Sequence, residues 1–194
     1  MLDLDRCPHC SVDRPNLAFT GTQHETRDFG GGNKRFWRCY CCTRCGGIIT
    51  AAARAMEQDT IEIYPAGLDV DASVPDRART FLAQAINSLS SPAGAVMLAA
   101  SAVDAMLKAK GLRDGSLYAR IDKAAADHLI TAEMAKWAHD VRLDANDQRH
   151  ADDNAPLPLP ADARKAVDFA LALAQFIFVL PARVQRGIDD AQRK

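Results

Sequence analysis

The chain has 194 residues, 48% of them apolar and 25% charged, with a formal net charge of -1. These are ordinary globular proportions, and a near-neutral charge supplies no global attraction to a polyanion or an acidic membrane surface. Single domains commonly run to roughly 100 to 200 residues, so the length suits one good core plus a smaller second unit. The N-terminus, MLDLDRCPHC, is acidic and lacks the basic start and apolar core of a signal peptide, which predicts a cytoplasmic chain. The longest apolar run, 166 to 180, contains Asp168 and Gln175 and meets Pro181, which argues against a membrane span.

Residues 1–65 read as β. Arg35 to Cys41 contains aromatic strand formers, Gly46-Gly47 turns the chain, and Ile48–Thr50 and Ile61–Tyr64 form further short strands. Pro65-Ala66-Gly67 closes this part, and the period then becomes helical. Ala78, Phe81, Leu82, Ala85, Ile86 and Leu89 predict a first helix over about 74 to 89, started by Ser73 with Asp76 three residues on.

Ser91-Pro92 opens a second, Ala-rich helix that runs to about Lys110, ahead of Gly111. Val96, Ala99, Ala100, Val103, Met106 and Leu107 line it. A third covers about 116 to 129 with Leu117, Ile121, Ala124, Ala125 and His128 on one face, the histidine read as a satisfied core residue. A fourth starts at a Thr131 cap and turns Met134, Trp137, Ala138, Val141 and Ala145 inward. The Pro-rich stretch 155–160 is a loop, a fifth helix covers 161–180, and a short tail helix follows Pro181. The expected fold is mainly α: a four- or five-helix bundle over 66–194, preceded by a small β unit.

All six cysteines precede residue 46. In a reducing compartment they are thiols or thiolates rather than disulfides, which makes a metal the natural explanation. Two C-x-x-C pairs, Cys7/Cys10 and Cys42/Cys45, can each present two sulfurs from one tight turn, and together they complete a tetrahedral zinc site. Cys39 and Cys42 form an alternative pair. Gly46, directly after Cys45, favours the later one because it permits the backbone angles of a metal-binding turn. His9 sits between better ligands. Four thiolates leave no open position, so this zinc is structural, one per chain, and folds a unit too small to have a large core.

Between the two pairs, Arg27, Lys34, Arg35, Arg38 and Arg44 face Asp28 alone and alternate with Phe29, Phe36, Trp37 and Tyr40. Basic residues among aromatics suit single-stranded RNA or DNA, with Lys34, Arg35, Arg38 and Trp37 as the binding residues. Phe36 and Trp37 serve equally as packing residues.

Arg142, Asn146 and His150 recur every four residues and share one face of a helix. Such a trio can act on a phosphodiester, Arg for charge, His for proton transfer and Asn for orientation. It can also hydrogen-bond internally and pin a helix end. From His139 to Asp153, Arg142 and Arg149 stand against Asp140, Asp144, Asp147, Asp152 and Asp153. Asp104, among Val, Ala and Met, needs a partner, for which Arg142 is a candidate. His139 reads as a surface residue.

The Cys pairs, Tyr64-Pro65, Ser91-Pro92 and the Arg142/Asn146/His150 series resemble the HEPN superfamily, in particular a branch of unknown function with an N-terminal zinc ribbon. The resemblance implies an accessory role in prokaryotic defence or restriction systems, with a restriction or defence protein as partner. It also implies a second reading, a metal-independent RNA endonuclease whose Arg142 and His150 meet those of another copy. A homodimer is expected from the fifth helix as well. There Phe169, Leu173 and Phe176 lie on a different face from Val167, Ala170, Leu171, Ala174 and Phe178, and a second copy is expected to cover one stripe.

Overall fold

The computed structural model describes residues 2–56, 58–150 and 156–193, except the side chains of 147–150. It divides into two compact units, Met1–Leu68 and Asp69–Lys194.

The first unit is one antiparallel sheet of four strands in sequence order: β1 (Leu17–Thr26), β2 (Arg35–Cys42), β3 (Ile48–Ala53) and β4 (Thr60–Tyr64). β1 was not expected, because LAFTGTQHET lacks a clean alternation and contains Gly21. It forms as an edge strand, exposed along nearly its whole length, with a register shift between Phe19 and Gln23 that accommodates Gly21 at φ 83°. Tyr40 pairs with Ile49 and Arg38 with Ala51, so alternation turns Tyr40, Cys42, Ile49 and Ala51 to one face. That face, with Leu2, Cys7 and Leu17, makes the small core of this unit. The Tyr64-Pro65 bond is cis.

The second unit contains α1 (Asp76–Asn87), α2 (Pro92–Ala109), α3 (Leu117–Ala126), α4 (Ala132–His150), α5 (Pro160–Ala174) and α6 (Leu180–Gln192). The chain as a whole is thus mixed and helix-leaning, with a fuller sheet than the sequence suggested. α2 is central and packs on α1, α3, α4 and α5. Its Ala95, Ala99 and Ala102 are fully buried, and such small side chains allow neighbouring helices a close approach. Phe169, Leu82, Met106 and Ile121 fill the spaces between helices.

Several ends differ from expectation. α1 starts after Pro75, while Ser73 donates to Asp71. α3 stops at Ala126, and His128 takes φ 56° beyond it while the Leu129 N–H returns to the Ala124 carbonyl. His128 is therefore an exposed cap residue, not a core one. Asp162 accepts the Leu159 N–H at 2.7 Å and starts α5, leaving 156–159 irregular.

α5 does not end before Pro181. A five-residue π turn, Gln175–Val179, joins it to α6, and the Leu180 N–H reaches back five residues to Gln175. Proline lacks an N–H and its ring crowds the carbonyl four residues earlier, so widening the preceding turn lets the helix continue. By length and composition Pro92–Ala109 and the continuous Pro160–Gln192 both suffice to cross a membrane, yet each devotes its buried face to the helical core. Phe169 and Leu173 are buried within one copy, so the stripe expected to need a partner is covered down to Leu173. Beyond it Phe176, Leu180, Val184 and Ile188, four residues apart, are each 41–54% exposed.

Candidate metal centre

Two turns of matched geometry bring the sulfurs together. In the first, Ser11 at φ 57° donates its N–H to the Cys7 carbonyl at 2.9 Å, and the Cys7 N–H donates to Val12 at 3.1 Å. In the second, Gly46 at φ 73° donates to the Cys42 carbonyl at 2.8 Å, and the Cys42 N–H donates to Gly47 at 2.9 Å. The turns are thus the same C-x-x-C-αL unit used twice. Gly46 meets the left-handed requirement without a Cβ penalty, whereas Ser11 carries a cost of roughly 1 kcal/mol. Arg6 braces the first turn, donating to the Ser11 carbonyl at 3.0 Å and pairing with Asp13 at 3.5 Å.

The ligand atoms of Cys7, Cys10, Cys42 and Cys45 all lie within 4.8 Å of one another, and the Cys7 and Cys45 sulfurs are 3.9 Å apart. A tetrahedron with Zn–S bonds of about 2.3 Å places its sulfurs about 3.8 Å apart, so the cluster has the size of a zinc site. Cys7 and Cys42 are buried, Cys10 is half-buried and Cys45 exposed. The Gly47 N–H points at the Cys45 sulfur at 3.4 Å, as an amide does toward a thiolate.

Electrostatics agree with that reading. Burial raises the Cys42 thiol, but N–H groups of Cys45 and Arg44 and the neighbouring thiols outweigh it and bring the group down to about 7. At Cys45 the Gly47 N–H favours the thiolate, yet burial and the other three sulfurs push the group up to about 12. Burial also raises Cys7. One negative charge is therefore easy to form and the last is hard, because four thiolates this close repel unless a cation sits among them. A dication of tetrahedral preference fits this donor set.

His9 is no ligand, but it locks the two turns together. Its Nε2 lies 2.8 Å from the Ile48 carbonyl, and its ring covers Gly47 so closely that a methyl group there would collide with it. Sequence reasoning missed this; the only signal was a second glycine after Gly46. Cys39 and Cys41 lie on the opposite face of β2 from Cys42, Cys39 near the Thr50 hydroxyl at 3.7 Å and Cys41 near the Cys42 carbonyl at 3.7 Å. Neither joins the cluster.

The basic and aromatic residues of β2 do not form one platform. Arg35 shares the Trp37 face and is paired with Glu62, while Trp37 donates to the Thr26 hydroxyl at 2.8 Å. Lys34 pairs with Glu25 at 3.0 Å and lies over the Phe36 ring. Arg38 points to the other face, beside Phe36 and Tyr40, and has no ion pair or hydrogen bond among the described residues.

In the helical unit α4 does place positions 142, 146 and 150 along one face. Asn146 is exposed, and the His150 side chain lies outside the described residues. Arg142 stacks over the Tyr118 ring at 5.2 Å, and its buried Nε has no hydrogen-bond partner among the described residues. It is not the partner of Asp104. Arg120 fills that role, with Nη2 at 2.6 Å from Oδ1, and Lys108 holds the other oxygen. His139 is largely covered, stacked on Tyr118 and 3.0 Å from Asp122.

The chain belongs to the family described as a domain of unknown function, DUF4145, whose profile matches residues 82–191. The match runs from within α1 to within α6, leaving the sheet and its cysteines outside it. No curated protein and no solved structure matches the chain.

Proposed function

We propose that this DUF4145 protein is a binding or accessory module of nucleic-acid metabolism or phage defence, in which one structural zinc on Cys7, Cys10, Cys42 and Cys45 holds the N-terminal sheet as a zinc ribbon. The convergence of four sulfurs from two like turns carries the zinc reading. When bound, the ion supplies charge neutralisation and cross-linking, with no open position for a substrate. The helical unit is read as a HEPN-type bundle on the sequence resemblance, and the protein as cytoplasmic.

A homodimer is part of the proposal. The stripe Phe176, Leu180, Val184 and Ile188 is about half exposed in one copy, and the same helix carries Arg183 and Arg186 ahead of Asp189 and Asp190. Two such helices running antiparallel about a two-fold axis would cover both stripes and set each basic pair against the other's acidic pair.

The alternative, an RNA endonuclease with a composite site, draws support from Arg142, whose Nε is buried and has no acceptor among the described residues. Incubating the zinc-loaded protein with single-stranded RNA decides between the readings. The accessory reading expects the RNA intact, whereas cleavage that disappears in Arg142→Ala and His150→Ala variants of unchanged fold would establish the nuclease.

A further inference from the structure

Two neighbouring hollows on the zinc-bearing face of the sheet serve no role described above. The larger, about 410 Å³, is lined by Leu2, Gln23, Phe36, Arg38, Tyr40 and Ala51 among others. The smaller, about 330 Å³, is lined by Leu17, Phe19, Gln23, Arg38 and Tyr40. Both fall within the size range of small-molecule sites. They share Gln23, Arg38 and Tyr40 as a common ridge.

That ridge is chemically unfinished. Arg27, Lys34 and Arg35 each have a carboxylate partner. Arg38 is half-buried and has none among the described residues. Tyr40 is only 7% exposed, and its hydroxyl makes no hydrogen bond among the described residues. A half-buried guanidinium without a carboxylate partner, next to a phenol whose hydroxyl is unbonded among the described residues, suits an anionic oxygen. On one side of the ridge stands Phe19, 50% exposed and tilted against Tyr40 at 6.0 Å; on the other stands Phe36. A flat apolar group can therefore rest on each side of one anionic group.

We propose that these hollows form one groove for a short single-stranded nucleic-acid segment, its phosphodiester on Arg38 and its flanking bases against Phe19 and Phe36. This rests on the nucleic-acid reading above and relocates it from the Arg35/Trp37 face. A peptide strand is the poorer occupant, because the register shift between Phe19 and Gln23 interrupts the edge ladder on which it would pair. Asp59 lines the far end of the larger hollow and Glu25 its side, the latter held by Lys34 and Arg27. Asp59 repels a second phosphate there, which limits the segment to about two or three nucleotides.

The test is fluorescence anisotropy of the zinc-loaded full chain with labelled oligo(U) and oligo(dT) two to twelve nucleotides long, comparing wild type, Arg38→Gln and Phe19→Ala. Metal content and thermal unfolding of each variant report whether the sheet is intact. Binding should gain little beyond about four nucleotides. Neutralising one phosphate predicts a log–log salt slope of roughly -0.7. Arg38→Gln should weaken binding at least tenfold and Phe19→Ala about fivefold or more, with zinc retained. Wild-type affinity in Arg38→Gln would overturn the groove while leaving a nucleic-acid role elsewhere. Equal affinity for a duplex, or equal competition by an acidic peptide, would overturn it also, and no binding to any oligonucleotide would remove the nucleic-acid reading itself.

Discussion

His9 and Gly47 show how residues outside the sulfur cluster hold its two turns together. The imidazole occupies the space a Gly47 side chain would need and reaches the Ile48 carbonyl, tying the first turn to the second. Gly47→Ala should destabilise the sheet unit by about 1 to 3 kcal/mol, in the range of overpacking. Adding His9→Ala should recover part of that loss, so a double-mutant cycle by thermal unfolding checks the contact, and additivity would disprove it. The thiols set a second expectation. Zinc displaces protons from them, and with Cys42 near 7 and the other shifts upward, affinity must fall as pH drops. Competition with a chelator of known pH dependence should show an apparent affinity that declines steeply below pH 7, roughly tenfold or more per unit. The four clustered cysteines were legible because C-x-x-C fixes a turn. His9 was not, because its partner is a backbone carbonyl 39 residues away.

Arg120 carries the lesson from residue to element. Leu117, Arg120, Ile121 and Ala124 follow the i, i+3, i+4, i+7 spacing of an inward face, so a buried arginine for Asp104 was present in the pattern. Arg142 was expected instead, although its position on α4 leads to Tyr118. Besides Asp104, Arg120 donates to the Gly115 carbonyl and thereby clasps the loop between α2 and α3. Asp104→Asn keeps the shape but leaves the guanidinium without its counter-charge. It should cost about 2 to 4 kcal/mol in denaturant unfolding, somewhat below a fully buried pair because Asp104 retains 23% exposure. Helix positions followed from periodicity, but Pro181 misled, since a proline stops a helix only where the preceding turn cannot widen. β1 was hidden for a different reason: an exposed edge strand buries almost nothing, so hydrophobic alternation cannot reveal it.

At the scale of the molecule, the two units should respond to different reagents. The helical unit has an extensive core of its own, whereas the sheet unit buries few large side chains beside its cysteines. Chelation should therefore melt the sheet unit and leave the helical signal, giving two separable transitions in circular dichroism and tryptophan fluorescence. A single transition that moves as a whole with metal would contradict this independence. For the proposed dimer, Val184→Asp places a charge in the centre of the α6 stripe and should yield monomers in light scattering with unchanged helicity. A wild-type monomer at micromolar concentration would remove the dimer and the composite nuclease site together.

In the proposed zinc ribbon the two cysteine pairs fold the sheet around one zinc. X-ray absorption at the zinc edge, made on purified protein with its metal content determined, reads out that coordination. One zinc per chain with four sulfurs at about 2.3 Å is expected, lost in Cys7→Ser and Cys42→Ser and kept in Cys39→Ser and Cys41→Ser. A shell containing nitrogen or oxygen, or full zinc occupancy in the Cys42→Ser protein, would contradict it.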